Sequence, residues 1–174
     1  MHPLDKFRYC PACGSSHFAE NNVKSKHCAD CGFTYYANPS SATAAFILRP
    51  DGCLLVARRA KEPAQGTLDL PGGFVDMDET VEQGMAREIL EETGLSVDVM
   101  RYLFSIPNLY LYSGMTIHTV DMFFEVGVSM DDHPVAADDV AELMWMPVAD
   151  IDPCLFGLNS IRQGVELWLR DMRA

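Results

Sequence analysis

The 174-residue sequence predicts an α/β fold, a mixed β-sheet flanked by helices, with a small four-cysteine zinc ribbon ahead of it. Three observations carry that reading. Two Cys-x2-Cys pairs fall within the first 31 residues. From Pro39 onward, strand-like and helix-like patterns alternate. Within that alternation, a double glycine leads into a Glu-rich segment of helical period. A boundary at Asn38-Pro39 divides residues 1–38, the ribbon, from residues 39–174, the larger domain.

In the first module, Cys10-Pro11-Ala12-Cys13 and Cys28-Ala29-Asp30-Cys31 give two knuckles. Each places two thiolates on one tight turn, so together they supply four sulfurs to one structural Zn²⁺. Gly14 and Gly32 follow each second cysteine, where backbone N–H groups are expected to turn towards the sulfurs. Two disulfides are the alternative, and the lack of an apolar leader at residues 1–31 speaks against them. Four thiolates close the coordination shell, so the zinc is expected to be structural rather than catalytic. Lys6, Arg8, Lys24 and Lys26 make this module locally basic.

In the second module, Thr43–Leu48 reads as a strand, Pro50-Asp51-Gly52 as a turn, and Cys53–Ala57 as the strand's hairpin partner. A polar stretch then leads into Leu70-Pro71-Gly72-Gly73, a loop suited to close approach to a ligand. Residues 79–92 read as a helix, with Asp78 as N-cap and Gly94 as its stop. Residues 97–104 and 115–128 read as strands, and 145–148 as a short one. Residues 161–172 read as a closing amphipathic helix capped by Asn159 or Ser160.

Composition bounds the chemistry. Apolar residues make up 48% of the chain, enough for a buried core. The net charge of −12 repels polyanions, so nucleic acid is not expected as a partner, and action on phosphates is expected to need a divalent cation. No stretch has membrane-spanning length. Cys53 and Cys154 read as small core filler, and with the leaderless N-terminus they suit a cytoplasmic setting.

The carboxylate helix is the most specific signal. Glu88, Glu91 and Glu92 stand at i, i+3 and i+4, so their like charges share one face. Mg²⁺ held by oxygen ligands would relieve that repulsion, whereas the bland alternative is a solvated charged face. Arg87 reaches Glu91 at i+4 and can reach back to Glu79, which suits a side chain that holds carboxylates in place.

The spacing resembles the Nudix hydrolase box, G-x5-E-x7-R-E-U-x-E-E-x-G-U, with U a bulky aliphatic. Gly73, Glu79, Arg87, Glu88, Ile89, Glu91, Glu92, Gly94 and Leu95 match all nine specified positions. The resemblance extends from about residue 40 to 172 and implies a Nudix α/β/α sandwich. It implies that Glu88, Glu91 and Glu92 bind Mg²⁺ or Mn²⁺ with the backbone of Gly73, while Glu79 and Arg87 orient them. The general base would be Glu88 or a carboxylate in Asp138–Glu142, with Glu142 or Asp139 favoured there. It also allows a homodimer.

A zinc ribbon ahead of such a domain is similar to the NADH pyrophosphatase branch. That branch carries SQPWPFPxS after the box, whereas residues 105–114 here read SIPNLYLYSG, so NADH specificity does not follow. Tyr110 and Tyr112 alternate along an extended segment and, with Phe74, suit stacking on a base, although aromatics also commonly pack cores. Arg58, with Arg59 beside it, is a candidate phosphate contact. The expected activity is cleavage of the diphosphate linkage of a nucleoside diphosphate joined to another moiety, such as NAD(H) or ADP-ribose. The competing reading is an RNA-directed protein that binds or decaps RNA 5′ ends.

Overall fold

The computed structural model describes residues 2–129 and 133–172. The N-terminal module is a three-stranded antiparallel sheet of β1 (Phe18–Asn22), β2 (Ser25–Cys28) and β3 (Thr34–Tyr36) in that order. Its own core is small, Phe18 packed with Cys10 and Cys28. So little buried apolar surface leaves the cysteine quartet to hold the module together.

After it come β4 (Ser40–Ile47), β5 (Cys53–Arg59), β6 (Leu68–Asp69), α1 (Val81–Thr93), β7 (Val97–Tyr112), β8 (Met115–Val128), β9 (Val140–Pro147) and α2 (Asn159–Asp171). These strands form two sheets of three, β4-β8-β7 and β6-β5-β9. β4 runs parallel to β8, from Ser40 opposite Thr119 to Ile47 opposite Val126, while β7 and β8 form an antiparallel hairpin. The first sheet is therefore mixed, as the sequence predicts.

Both faces of β4 and β5 are covered, which explains their unbroken apolar runs. Ala44, Phe46, Leu54 and Val56 face a core completed by Ile161, Val165, Trp168 and Leu169 of α2. The alternate residues Ala45, Ile47 and Leu55 face Met85 and Ile89 of α1. Strand period 2 thus sends successive side chains to opposite helices, giving the expected α/β/α sandwich. On the α2 side the Phe46 ring lies flat on Trp168, 4.6 Å between centroids.

Several boundaries differ from the sequence expectation. β4 and β5 do not form a hairpin: they meet at a single bridge, Leu48–Leu54, and then join different sheets. β4 already has β8 on one side and the glycine loop on the other, so no edge is left for β5. Helix α1 is capped by Thr80, not Asp78. Thr80 accepts from the Gln83 N–H, and the Gln83 side chain accepts from the Thr80 N–H. Asp78 has φ +66°, outside the extended region an N-cap requires. Gly94 ends the helix with φ +72°, as expected.

β7 runs well past residue 104, through Pro107, which a sheet-edge strand tolerates because its missing N–H is not needed. β9 begins at Val140, so Glu142 lies on a strand rather than in a loop. Neither Asn159 nor Ser160 caps α2. Its N-cap is Leu158, and no side chain bonds there. Cys154 is exposed and Cys53 only partly covered, so neither fills the core. No helix among the described residues is long and apolar enough to cross a membrane.

Candidate functional site

The geometry of the four-cysteine module is set by two tight turns. Gly14 N–H donates to the Cys10 carbonyl at 2.8 Å and Gly32 N–H to that of Cys28 at 3.0 Å. These N–H groups close the turns instead of facing sulfur. The backbone N–H groups that reach the Cys28 thiol belong to Cys31 and Asp30; Cys31's is the main cause of a Cys28 pKa pulled down to about 7, with Asp30's adding and burial opposing. The four ligand atoms of Cys10, Cys13, Cys28 and Cys31 lie within 4.8 Å of one another, with Cys10–Cys31 and Cys13–Cys28 Sγ separations of 3.7 Å. A tetrahedral centre with Zn–S bonds of about 2.3 Å has sulfur–sulfur edges of about 3.8 Å. The quartet fits Zn²⁺. Lys26, in contrast, leaves the basic surface: it is buried and donates to the Phe7 carbonyl at 3.0 Å.

The second site begins with the glycine loop. Residues 71–75 run antiparallel along β4: Thr43 N–H reaches the Gly73 carbonyl and Ala45 N–H the Pro71 carbonyl, each at 2.8 Å, and Val75 N–H reaches Ser41 at 3.0 Å. A Cβ on Gly72, at φ +140°, would lie 2.3 Å from the Thr43 carbonyl oxygen. A Cβ on Gly73 would lie 2.6 Å from the Glu88 carboxyl carbon. Only a glycine pair lets this loop pass between β4 and the carboxylates of α1.

Arg87 organises those carboxylates. Its Nη2 donates to Glu79 at 2.7 Å and to the Phe74 carbonyl at 2.9 Å, and its Nη1 to Glu88 at 2.9 Å and Glu91 at 3.0 Å. Glu79 in turn accepts from the Asp76 N–H at 2.6 Å, tying the loop to the helix. Its carboxyl is held below the usual range, chiefly by Arg87. Glu92 instead accepts from the Gly72 N–H at 2.9 Å. The three acidic side chains therefore share a helix face but do not close on one point. Among the described residues, the four cysteines and the trio His2, Asp5 and Glu20 are the groups whose ligand atoms all approach within 4.8 Å.

Burial acts on two of the three. Glu92 is 8% exposed, and loss of hydration pushes its pKa up to about 8, the Gly72 N–H opposing. Glu88 is also pushed up, first by burial, with Arg87 opposing. Buried carboxylates with raised pKa values are short of positive charge, and hard oxygen donors suit Mg²⁺ or Mn²⁺. The donor set fits such a cation.

A cavity of about 510 Å³ opens beside these groups. Its lining includes Gly72, Gly73, Phe74, Glu88 and Glu92 on one side. The β7–β8 hairpin contributes Asn108, Tyr110, Tyr112, Ile117, Thr119 and Asp121, alternate residues of each strand and so one face. Phe74 meets Tyr110 edge to face, 5.6 Å between centroids. Phe74, Tyr110 and Tyr112 are thus brought together.

Arg58 and Glu142 are not. They stand opposite each other in the β5–β9 ladder and bond at 3.1 Å, both outside the cavity lining. Alternation along β5 sends Arg58 one way and Arg59 the other. Arg59 lines the cavity, paired with Asp69, with its Nη2 3.3 Å from the Tyr110 hydroxyl. Among the described residues it is the basic side chain of that lining. Glu91 is half exposed and stands outside the lining, while Asp138 and Asp139 belong to it, Asp139 bonded to Lys61. Asp69, Asn108, Thr119 and Asp121 carry no motif in the sequence. The period-2 pattern of the hairpin places 108 with 110 and 121 with 119, the one signal that could have found two of them.

Residues 38–166 match the NUDIX domain family model. The NAD-capped RNA hydrolase NudC of Vibrio atlanticus (strain LGP32) is 28% identical over 173 residues, 99% of this chain and 61% of that protein. The chain thus spans about three-fifths of the length of that relative. That relative's name includes RNA, so the expectation of a chain that avoids nucleic acid finds no support in it. The crystal structure of a NUDIX hydrolase from Nitrosomonas europaea superimposes with a TM-score of 0.73 at 20% identity, covering 95% of this chain and 92% of that one. The NUDIX domain of Shewanella oneidensis NrtR, crystallised with ADP ribose, gives 0.64 at 21%, covering 80% and 91%. At those identities the two structures speak for the fold.

Proposed function

Since this chain belongs to the NUDIX domain family, we propose that it is a metal-dependent pyrophosphohydrolase that cleaves the diphosphate bond of NAD, ADP-ribose or a related dinucleotide. The observation that carries this is the set Glu88 and Glu92 packed against the Gly72-Gly73 loop beside a ligand-sized cavity, Glu88 held by Arg87 and Glu92 by the Gly72 N–H. Residues 1–38 serve as a structural ribbon around Zn²⁺, and residues 39–174 carry the chemistry.

Glu88, Glu91 and Glu92 would hold Mg²⁺ or Mn²⁺, which when bound neutralises charge on the diphosphate oxygens. Arg87 holds Glu88 by Oε1, leaving Oε2 to take the proton of the attacking water. Arg59, oriented by Asp69 and Tyr110, supplies a fixed cation for a phosphate oxygen. Phe74, Tyr110 and Tyr112 offer aromatic surface to a base.

The test is turnover of NAD, NADH, ADP-ribose, diadenosine polyphosphates and dNTPs with Mg²⁺ or Mn²⁺, in wild type and in Glu88→Gln and Glu91→Gln. Release of a mononucleotide from NAD or ADP-ribose, lowered about 100-fold or more in both variants, supports the reading. Silence on every compound in folded, zinc-loaded protein refutes it.

A second reading has its own observation. The ribbon exposes a stack of Phe7, Tyr35 and Phe33, with centroids 6.1 and 6.5 Å apart, and Tyr9 and Tyr36 are exposed as well. Exposed aromatics stack on single-stranded bases. With a relative named for NAD-capped RNA, the diphosphate cleaved would then sit at an RNA 5′ end. A KM for NAD-capped RNA well below that for free NAD, lost in Tyr35→Ala, favours this reading; equal values refute it.

A further inference from the structure

The floor of the cavity holds a polar group that hydrolysis does not use. Asp121 is 6% exposed and borders the cavity. It accepts hydrogen bonds from the hydroxyls of Thr119 and Ser160, each at 2.5 Å, and from the Asn108 amide at 3.1 Å. All three donors are neutral. Among the described residues, no ion pair involves Asp121. A buried carboxylate without a cation is costly, and tying β8 to α2 does not require one. Asp69, close enough for the two charges to repel, adds to that cost.

The lone pairs show what the group can do. A carboxylate has about four acceptor positions, and three are filled here. Asn108 donates one amide hydrogen to Asp121, and its Oδ1, which donates nothing, is a second acceptor on the same wall. Asn108 and Thr119 are register partners across the hairpin, and Tyr110 follows on the same face. An acceptor-rich floor thus lies next to an aromatic wall. A planar base against Phe74 and Tyr110 would present its edge to that floor, and the edge must carry a donor.

We propose that Asp121, with Asn108, is a specificity subsite that accepts a hydrogen bond from an NH2 group on the substrate's base. This rests on the reading of the site as one for NAD or ADP-ribose. Two groups of such substrates offer the required chemistry, the 6-amino group of adenine and the carboxamide of nicotinamide. Hypoxanthine replaces the first by oxygen, and nicotinate replaces the second by a carboxylate that Asp121 repels.

The experiment is calorimetric binding, with Mg²⁺ present, of AMP against IMP and of nicotinamide mononucleotide against nicotinate mononucleotide. Wild type is compared with Asp121→Asn, which keeps the shape, and with Asn108→Ala on the edge strand, which removes the Oδ1 acceptor together with one donor to Asp121. Wild type is expected to prefer the NH2-bearing member of one pair by about 10- to 100-fold, the scale of a hydrogen bond to a charged group. The pair that shows it identifies the base. Asp121→Asn should erase the preference and Asn108→Ala reduce it. Equal binding within both pairs, or a preference that survives Asp121→Asn, overturns the proposal and leaves Asp121 a structural tie. If NAD, its hypoxanthine analogue and its nicotinate analogue are hydrolysed at equal rates, the proposed hydrolysis stands and the subsite falls. If no dinucleotide is cleaved, the hydrolytic reading falls on its own measurement.

Discussion

Arg87 grips Glu79 with two nitrogens at once, Nη2 to Oε1 at 2.7 Å and Nε to Oε2 at 3.2 Å, so the loop before α1 and the middle of that helix move as one piece. The same guanidinium spends its Nη1 on Glu88 and Glu91. A planar fork can serve all three carboxylates, whereas a lysine ammonium is a point charge without that geometry.

Arg87→Lys should therefore lower kcat/KM about 10- to 100-fold while the protein still folds, the usual cost of disturbing the groups that orient ligands. Steady-state rates across a Mg²⁺ titration check this. A rate that saturating Mg²⁺ restores would mean that Arg87 acts through metal affinity, whereas an unchanged rate would refute the bracing role.

Glu92 makes stability depend on pH. Its pKa in the folded, metal-free chain is about 8, above the ordinary 4.5. Between those values the folded state holds a proton that the unfolded chain has released, so stability falls as pH rises from about 4.5 to about 8. Glu88 and Asp69 shift in the same direction, each first through burial. Metal binding needs the deprotonated form and removes this penalty. Thermal melts at pH 6 and pH 8.5 should show a larger gain in Tm from Mg²⁺ at the higher pH. An equal gain at both would contradict a buried, cation-deficient Glu92.

Removing zinc should unfold the ribbon first. Its core is three side chains, so the four thiolates carry its stability. Cys28→Ser, or a chelator, should raise amide hydrogen exchange across residues 10–36 while β4, β5 and α1 stay protected. Protection retained throughout in zinc-free protein would mean that the ribbon folds without its metal.

Gly164→Ala tests how tightly α2 seats on β8. Alanine improves helix propensity by about 1 kcal/mol. The added Cβ, however, would lie 2.3 Å from the ring of fully buried Phe123. Overpacking of that kind costs about 1–3 kcal/mol, which offsets or exceeds that gain, and the variant is expected to be less stable by up to about 2 kcal/mol. Denaturant unfolding decides it, and a more stable variant would show that α2 can lift off without loss.

Features that depend on near neighbours in the chain are legible in the sequence. The two knuckles, the i, i+3, i+4 carboxylates, the Gly94 stop and the pairing of Arg87 with Glu79 and Glu91 are all set by helix or turn geometry over a few residues. The Thr80 cap is equally local, yet the sequence points to Asp78 in its place. Both residues carry an N-cap side chain, and only the backbone angles separate them.

Long-range choices were decided by tertiary packing. Nothing near Arg58 and Arg59 says which faces the cavity; the register of β5 against β9 does, pairing Arg58 with Glu142 and turning Arg59 towards Asp69 and Tyr110. Asp121 has no motif around it, and its meaning comes from Asn108 on the next strand and Ser160 39 residues later. By itself the sequence determined each Cys-x2-Cys knuckle and the shared face of Glu88, Glu91 and Glu92, because the residues of each lie within a turn or two of each other. Tertiary structure alone decided the cavity and its floor, because alternating strand faces acquire an inside only when the sheets and α2 close around them.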